Sequence, residues 1–488
     1  MKREDLLSKI SDPSKVWDVV VIGGGATGLG VAVDAVTRGY SVALFEWEDF
    51  AKATSSRSTK LVHGGVRYLA QGDVSLVLEA LYERGLLQQN APHLVKNQSF
   101  LIPNYRYWDN FLYTVGLTIY DILAGRLSLG RSKYVSKKKT TSYLPTVRVD
   151  GLKGGVVYHD GQFDDSRLAV NLAQSCVENG GCPINRMKVT AMLHGSDGRA
   201  RGGKVQDLMN GQEYEVKAKA VINATGIFVD SIMEMDVPTH EHMVKPSQGV
   251  HLVLDKSFLQ SDYAIMIPKT DDGRVLFAVP WHDKVVVGTT DTLREHPELE
   301  PQALESEIEF ILNTAGRYLT RKPQRSDVLS VFAGLRPLAA PKKEGKSTKE
   351  ISRSHKIFVS ENKLITITGG KWTTYRRMAE DTVDKAIELN LLEKKACVTK
   401  KFRIHGYQLN PDLNNHLYIY GSDIQAIKTL MQSDPAMAEK LHPKYDYTVA
   451  EVVWAVREEM ALNVEDILAR RVRLLFLDAR VAAEVAPK

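Results

Sequence analysis

The chain has 488 residues, of which 43% are hydrophobic and 25% are charged. This composition excludes a disordered or fibrous protein, and the length allows roughly two to four domains. The net charge is only +5, but cations cluster at 131–139, 321–325 and 342–350, where an anionic membrane surface, a nucleic acid or an acidic substrate could bind.

The first 18 residues contain no apolar segment of the kind found in secretion signals, and no apolar run approaches the ~18 residues of a spanning helix. Any contact with a membrane is therefore expected to be peripheral. The three cysteines show neither a CxxC pair nor the spacing of metal ligands. They favour a reduced, cytoplasmic compartment and predict no metal site.

Residues 18–46 predict a βαβ unit, in which a short apolar strand, a glycine turn, a helix and a second strand follow one another. Gly23, Gly25 and Gly28 form the pattern GxGxxG, which lets a pyrophosphate approach the helix N-terminus. Glu46 ends the second strand, close to the ~20 residues beyond the glycines at which an acid that binds ribose hydroxyls is expected. The pattern predicts NAD or FAD and does not distinguish between them.

The segment 54–69, TSSRSTKLVHGGVRYL, is rich in hydroxyls, cations and glycines and poor in core residues. So many hydrogen-bond donors in a short span are typical of a site for an anion or a polar cofactor. Because the segment follows the βαβ unit almost directly, we expect it at the same crevice, at the carboxyl ends of the parallel strands.

A helical pattern at 73–89 precedes a segment, 103–139, that combines aromatic residues, a short apolar run and a basic tail. This segment predicts either a peripheral membrane helix or a domain-packing helix with a solvated basic loop. Residues 155–226 indicate a strand, a helix capped by Asp164 or Asp165, and further strands that end in Asn-Ala-Thr-Gly.

Alternating apolar residues at 250–290, with a hairpin turn at 271–273, predict an antiparallel sheet that forms a substrate-side domain. A helix is expected near 301–318, and residues 363–388 indicate a strand, a glycine turn and a long helix. Beyond about residue 396 the pattern is helical and suggests no chemistry.

Six motifs occur together and in one order: VVVIGGGATGLG, TSSRSTKLVHGGVRYL, HDGQFDDSRL, PWHDKVVVGTTD, AGLRPL and GGKWTTYR. In this combination the chain resembles the FAD-dependent glycerol-3-phosphate dehydrogenases, from about residue 17 through the C-terminal helical region. The resemblance implies an α/β fold with a glutathione-reductase-like, Rossmann-type FAD-binding domain at 17–95, 151–235 and 330–395, a β-rich substrate (cap) domain at 96–150 and 236–329, and a C-terminal helical domain at 396–488. It also places the end of the chain early within the family's C-terminal helical part.

The reaction implied by the resemblance is oxidation of sn-glycerol 3-phosphate to dihydroxyacetone phosphate, with electrons passed from FAD to a membrane quinone. The implied location is peripheral, on an anionic membrane surface at the cytoplasmic face of the inner membrane. The implied FAD contacts are Gly23, Gly25, Ala26, Thr27, Gly28, Glu46, Thr54, Ser55, Ser58, Lys60, Leu61, His63, Val189, Gly226 and Lys371. The implied substrate contacts are Arg67, Tyr68, Arg336, Lys371 and Thr373, with Arg336 and Arg67 first on the phosphate.

Elementary chemistry agrees with two of these roles. A bidentate guanidinium suits a phosphate dianion, which favours Arg336 at the primary site. Oxidation of a secondary alcohol requires a base for the hydroxyl proton, and histidine is the usual base near neutral pH. His63, which lies among the flavin residues, is the favoured base and His251 is the alternative, although either could have a structural role.

Other functions stay open at this point. A glycerol-3-phosphate oxidase would pass the electrons to oxygen, and an amine or amino-acid oxidase would bind a carboxylate without the additional cations. A non-catalytic dinucleotide sensor or RNA-binding protein could use the basic runs, but it would not need His, Tyr, Lys and Arg around a flavin. Nucleic acid is therefore not an expected partner, and the sequence leaves open a homodimer and the identity of the quinone.

Overall fold

The computed structural model describes residues 1–70, 72–268, 270, 273–339 and 355–488, without the side chains of Arg67 and Ala70. The strands are β1 (Val16–Ile22), β2 (Val42–Phe45), β3 (Leu61–Val62), β4 (Lys96–Asn104), β5 (Lys133–Ser136), β6 (Gly154–Gln162), β7 (Cys182–Ile184), β8 (Met187–His194), β9 (Ala200–Asp207), β10 (Glu213–Asn223), β11 (Val244–Asp255), β12 (Ala264–Ile267), β13 (Leu276–Trp281), β14 (Lys284–Gly288), β15 (Thr292–Leu293), β16 (Val328–Ala339), β17 (Lys356–Val359) and β18 (Ile365–Thr368).

The helices are α1 (Arg3–Ile10), α2 (Ala26–Thr37), α3 (Val66–Ala70), α4 (Val74–Asn90), α5 (Tyr107–Ala124), α6 (Lys137–Tyr143), α7 (Asp165–Glu178), α8 (Val229–Asp236), α9 (Glu305–Tyr318), α10 (Tyr375–Glu388), α11 (Ile424–Ser433), α12 (Val449–Glu458), α13 (Val464–Arg470), α14 (Leu474–Leu477) and α15 (Ala479–Val485). Helix starts follow their capping residues. Asp73 accepts a hydrogen bond from the Leu76 amide (3.1 Å) at α4, and Asp164 accepts one from the Arg167 amide (2.9 Å) at α7.

The first sheet, here called the nucleotide sheet, has the strand order β17-β18-β10-β1-β2-β7, with β9 paired to β10 and β8 to β9. The strands β18, β10, β1, β2 and β7 run parallel. They are rich in Val and Ile and mostly buried, as expected where helices cover a parallel sheet, and α2, α7 and α10 share its apolar core. The predicted βαβ unit is confirmed.

The register of the nucleotide sheet aligns the ends of its central strands. Ile22 pairs with Phe45 and with Asn223, and Asn223 pairs with Thr366. The residues that follow these strands therefore leave the sheet at one edge, which is where ligands bind in open parallel sheets.

The second sheet, here called the cap sheet, has the order β15-β11-β14-β13-β12-β4-β6-β3, with β16 on β11 and β5 on β6. All of these pairs are antiparallel except that of β4 and β12. The antiparallel sheet predicted for 250–290 is thus confirmed. The turn predicted at 271–273 includes Asp271 and Asp272, which lie outside the described residues.

The sheet pairing crosses the predicted domain boundaries, which stay a prediction. Strands β3, β6 and β16 fall in segments assigned to the FAD-binding domain, yet all three pair within the cap sheet. For example, β16 pairs with β11 along most of its length, with Val250 opposite Ala333. Local sequence patterns predict a strand but not its partner, because the pairing joins segments far apart in the chain.

The predicted C-terminal helical region forms α11 to α15. Its residues Leu474, Phe476 and Leu477 share a core cluster with Trp281 and Phe332 of the cap sheet. Among the described residues, no helix is both long and apolar enough to cross a membrane.

Candidate active site

A cleft of about 470 Å³ opens between the carboxyl edge of the nucleotide sheet and the cap sheet. Its lining comes from the glycine turn after β1, from segment 51–68, from β8, from the turn after β10 and from the strands β11, β13 and β16. The motifs found separately along the sequence therefore meet at one cavity.

The glycine turn has the geometry of a phosphate site. Gly23 has a φ of 105°, which favours glycine, and its amide donates to the Phe45 carbonyl (2.8 Å). Gly25 precedes the first residue of α2, so the helix N-terminus faces the cleft. Gly28 does not line the cleft. A Cβ there would lie 1.9 Å from the Gly23 carbonyl oxygen, so Gly28 serves close packing of helix and turn.

Glu46 follows β2 and lines the cleft beside the glycine turn. Its carboxylate accepts hydrogen bonds from the amides of Gly24 (2.6 Å) and Glu48 (2.8 Å). Burial raises the pKa of Glu46 to about 7, although the two amides lower it. The residue is only half-buried, so water in the open cleft weakens this effect.

Two aromatic residues at this end of the cleft were missed by the sequence interpretation. Trp47 and Phe228 have ring centroids 5.3 Å apart, and the Lys188 ammonium lies 5.4 Å from the Trp47 ring. Val189 and Gly226 line the cleft nearby. Flat apolar rings next to an acid that is predicted to bind ribose hydroxyls suit an adenine. The only sequence signal was an aromatic residue directly after Glu46.

The first half of segment 54–69 lies along the cleft, but not all of its side chains face it. Ser55 Oγ accepts from the Ala26 amide (3.0 Å) at the start of α2, and Ser58 Oγ donates to Asp165 Oδ2 (2.7 Å). Thr54 Oγ1 donates to the Leu335 carbonyl (2.6 Å), and Leu61 also lines the cleft. This segment therefore joins the two sheets across the cleft.

Lys60 stays a predicted cofactor contact, but its side chain does not line the cleft. Its ammonium is fully buried outside the cleft, where it donates to Asp165 (2.7 Å) and to the Ser56 carbonyl (2.6 Å). Burial and then the Arg473 charge lower the pKa of Lys60 to about 7, against the effect of Asp165. The backbone of Lys60 is left-handed (φ 63°), a feature that residue type does not reveal.

The second half of the segment carries a glycine turn at His63, Gly64 and Gly65, here called the His63 turn. The His63 amide donates to Thr373 Oγ1 (3.2 Å), and the His63 ring lies 6.5 Å from that of Phe277. Gly65 has a φ of 76°, in the left-handed region. Both His63 and Thr373 line the cleft, as predicted.

Two cationic side chains line the same cleft. The Lys371 ammonium lies 4.0 Å from the centroid of the Tyr68 ring. Arg336 Nη2 donates to Thr289 Oγ1 (3.2 Å), and its Nη1 lies 3.5 Å from Asp291 Oδ1. Tyr68, Lys371 and Arg336 all line the cleft. Arg67 belongs to α3, but its side chain lies outside the described part of the structure.

His251 also lines the cleft, but it is only 2% exposed. Its Nε2 lies 2.8 Å from Thr59 Oγ1, and its ring stacks on Phe332 at 4.9 Å. Burial, and then the charges of Lys60 and Arg336, hold the pKa of His251 well below its usual range. The ring is therefore neutral, and protonating it inside this cationic surrounding is unfavourable.

The structure brings most of the predicted site residues to the cleft wall. The exceptions are Gly28 and Lys60, together with Arg67, whose side chain is not described. The described residues contain no cluster of His, Cys, Asp or Glu that could hold a metal ion, and all three cysteines are unpaired. The cleft thus combines a glycine turn and an acid that suit a dinucleotide with cations and a histidine.

Comparisons with known proteins identify families that match both the N-terminal and the C-terminal part of the chain. Residues 18–376 match the family described as FAD dependent oxidoreductase, and residues 361–488 match the C-terminal domain of alpha-glycerophosphate oxidase. The probable mitochondrial glycerol-3-phosphate dehydrogenase of Caenorhabditis elegans is 39% identical, over 99% of this chain and 71% of its own length. The mitochondrial glycerol-3-phosphate dehydrogenase of Schizosaccharomyces pombe is 40% identical, over 99% and 84%.

Solved structures are similar as well. A glycerol-3-phosphate dehydrogenase from Bacillus halodurans, complexed with FAD, superposes with a TM-score of 0.79 at 30% identity, and covers 99% of this chain and 90% of its own. The FAD-bound L-alpha-glycerophosphate oxidase of Mycoplasma pneumoniae, with a TM-score of 0.60 at 17% identity over 80% of this chain and 98% of its own, shares the fold.

Proposed function

We propose a function from one premise: this chain belongs to the family of FAD-dependent glycerol-3-phosphate dehydrogenases. Its cofactor is FAD. The chain's own residues fit that cofactor, because an exposed helix N-terminus at Gly25 suits a pyrophosphate and Glu46 suits ribose hydroxyls. We infer that the enzyme oxidises sn-glycerol 3-phosphate to dihydroxyacetone phosphate.

The observation that carries the proposal is that Arg336, Lys371 and Tyr68 line the same cleft as the glycine turn. A phosphate dianion is bound well by a guanidinium and an ammonium together. Thr373 and Arg67 complete the proposed substrate contacts. A carboxylate substrate would require less positive charge than Arg336 and Lys371 provide together.

The catalytic roles follow from charge and position. When bound, FAD supplies an acceptor for the hydride that leaves C2 of the substrate. The C2 hydroxyl proton goes to a base, for which His63 is the better candidate. His251 is a weak base in its buried position, because nearby Lys60 and Arg336 oppose a charge on its ring. We assign His251 to holding Thr59, which also lines the cleft.

Single-turnover reduction of the flavin tests this assignment. His63→Ala should slow reduction by roughly 100- to 10,000-fold, the usual contribution of a general base. His251→Ala should act mainly through the position of segment 54–69 and slow reduction less. If the His251 variant were the slower of the two, His251 would be the base.

We propose further that the electrons pass to a membrane quinone and that the protein binds an anionic membrane surface peripherally. Helix α5 supports this, because Trp108, Phe111, Leu112 and Ile122 are 51–72% exposed on one face. The exposed cations Arg126, Arg131, Lys133, Lys137, Lys138 and Lys139 follow directly in the chain. An apolar face beside basic residues is typical of interfacial helices.

The cytoplasmic location stays a prediction, because the eukaryotic relatives are named as mitochondrial. The homodimer also stays a prediction.

An oxidase is the second candidate, because residues 361–488 match a domain named for alpha-glycerophosphate oxidase. The two functions differ in the electron acceptor. We expect rapid anaerobic turnover with a quinone analogue and little hydrogen peroxide in air. Stoichiometric peroxide with no gain from the quinone would instead identify an oxidase.

The decisive experiment mixes the FAD-loaded protein anaerobically with glycerol 3-phosphate, lactate, glycine or glycerol. Only glycerol 3-phosphate should bleach the flavin absorbance, because only it carries both a secondary alcohol and a phosphate. Bleaching by glycine or lactate would replace the substrate assignment, and failure to bleach with glycerol 3-phosphate would reject it.

A further inference from the structure

We propose that Tyr120 is a positioning residue of the active site, which holds the His63 turn through the Gly64 amide. Tyr120 belongs to α5, on the face opposite the exposed apolar residues, and is 1% exposed. Its hydroxyl oxygen accepts a hydrogen bond from the Gly64 amide (2.8 Å). A side chain of the cap region thus contacts the backbone next to the proposed base.

The Tyr120 hydroxyl is fixed in turn by a buried carboxylate. It donates to Asp160 Oδ2 (2.8 Å), and Arg84 Nη1 donates to Asp160 Oδ1 (2.6 Å). Asp160 is 2% exposed and Arg84 is 1% exposed. Because the hydroxyl gives its single proton to Asp160, only its lone pairs remain for the Gly64 amide. The direction of both hydrogen bonds is therefore set.

The glycine at position 64 is explained by this contact. A Cβ there would lie 2.5 Å from the Tyr120 hydroxyl and 2.5 Å from Leu81 Cδ2. Only a residue without a side chain lets the hydroxyl approach the backbone so closely. The second glycine has a different reason, since Gly65 needs its left-handed φ of 76°.

The His63 turn is therefore held on both sides. Thr373, from the segment before α10, accepts from the His63 amide, while Tyr120 accepts from the next amide along the chain. Two neighbouring amides bound to two different elements leave the backbone that carries His63 little freedom to rotate. The catalytic consequence rests on the proposed function, whereas the fixed backbone does not.

Tyr120→Phe tests the proposal, because it removes one oxygen and keeps the ring. In the FAD-loaded enzyme, the flavin reduction rate with glycerol 3-phosphate should fall by about 10- to 100-fold, as expected for a displaced reacting group, while KM changes less than about twofold. Tyr113→Phe is the matched control. Tyr113 is half-buried on the same helix and packs near the cap sheet, with no hydrogen bond to the His63 turn among the described residues.

Amide hydrogen exchange of the peptide 61–69 provides a second measurement. Tyr120→Phe should accelerate exchange roughly fivefold, as for one lost hydrogen bond, and Tyr113→Phe should not. Unchanged exchange and an unchanged reduction rate in Tyr120→Phe would overturn the proposal, as would a change in KM alone. If glycerol 3-phosphate does not reduce the wild-type flavin, the proposed function fails. The exchange comparison still shows whether Tyr120 holds the His63 turn.

A measurement on the wild-type enzyme covers the case in which Tyr120→Phe does not fold. At single-residue resolution, the Gly64 amide should exchange slowly, like the amides of β3. Exchange at the rate of an exposed loop would overturn the proposal without any variant.

Discussion

Arg336 lines the cleft with its guanidinium held in a defined orientation. Thr289 and Asp291 orient the guanidinium from the cap sheet, and the side chain remains 23% exposed at the cleft. A planar group oriented in this way can offer a phosphate two parallel hydrogen bonds. Its alignment therefore matters as well as its charge.

Arg336→Ala should raise KM for glycerol 3-phosphate by roughly 10- to 150-fold, from the loss of a charged hydrogen bond of about 1.5–3 kcal/mol. Arg336→Lys should recover part of this loss, because it keeps the charge without the bidentate geometry. Steady-state kinetics at saturating acceptor provide the measurement, with Arg294→Ala, which breaks a pair with Glu298 outside the cleft, as the control. An unchanged KM would remove Arg336 from the phosphate site.

Glu46 makes cofactor binding depend on pH. Ribose hydroxyls donate best to the charged carboxylate, whereas burial favours the neutral form and raises its pKa to about 7. FAD binding should therefore release a proton, and affinity should increase as the pH rises through about 7 and then level off. Fluorescence titration of apoprotein with FAD between pH 6 and 8 measures this effect. Glu46→Gln should bind more weakly and lose this pH dependence, and a variant that kept it would exclude Glu46 as its source.

At the residue scale, the sequence predicted the groups that lie in compact motifs. Gly23, Glu46 and His63 were found because backbone geometry and chemistry fix their spacing along the chain. Phe228 and Asp160 were missed as parts of the site, since each reaches it only through tertiary contacts. The burial of the Lys60 side chain was not predicted for the same reason, because its partner Asp165 lies 105 positions further along the chain.

Helix α5 has apolar residues on two opposite faces. Leu117, Tyr120 and Ala124 are buried, while Trp108, Phe111, Leu112, Val115, Ile119 and Ile122 remain exposed. The sequence left membrane contact and domain packing as alternatives for this segment. The structure explains why, because one face packs inside the protein and the other does not, and periodicity alone cannot distinguish them.

Replacing Trp108 and Phe111 by serine should weaken binding to anionic vesicles by at least about tenfold, because each ring loses apolar burial of about 1.5–3 kcal/mol. Turnover with a soluble dye acceptor should not change. Co-sedimentation with vesicles measures binding, and added salt should also reduce it if the basic residues contribute. Leu409→Ser with Leu413→Ser, two exposed leucines beyond α10, is the control. Equal loss in both double variants would argue against α5 as the contact.

Over the whole molecule, buried arginines of the C-terminal region neutralise carboxylates of the nucleotide-binding half. Arg470 and Arg471 donate to Asp49 at 2.6–3.0 Å, and Arg473 donates to Asp165 (3.0 Å) and to the Ser56 carbonyl (3.2 Å). All six of these residues are at most 1% exposed. Burial raises the pKa of Asp49, but the two guanidiniums outweigh burial and lower the pKa to about 2. The C-terminal region thus supplies the cations that neutralise these buried carboxylates of the nucleotide-binding half.

Arg471→Met should destabilise the protein by about 3–5 kcal/mol, because it leaves Asp49 and Glu459 buried without this partner. Denaturant unfolding at saturating FAD measures the change. Arg457→Met, at an exposed position on α12, should have little effect. Equal stability of Arg471→Met and the wild type would show that the ion pairs contribute little to folding.

The sequence predicted the helical character of this region but none of its function. Asp49 and Arg471 are separated by 422 positions, and no local pattern links a carboxylate to a guanidinium at that distance. The order of the domains and the strands of the βαβ unit depend on neighbouring residues and were predictable. The pairing of β3, β6 and β16 and the ion pairs across the molecule depend on the closed fold.

The separation of Asp49 and its arginines along the chain also has a consequence for the order of events during synthesis. A ribosome that adds about 5–20 residues per second needs roughly 20–80 s to reach Arg470 after Asp49 has been made. During that interval Asp49 lacks the two arginines that lower its pKa in the folded protein. We therefore expect FAD to be acquired after translation of the C-terminal arginines, and the nascent chain to depend on chaperones until then.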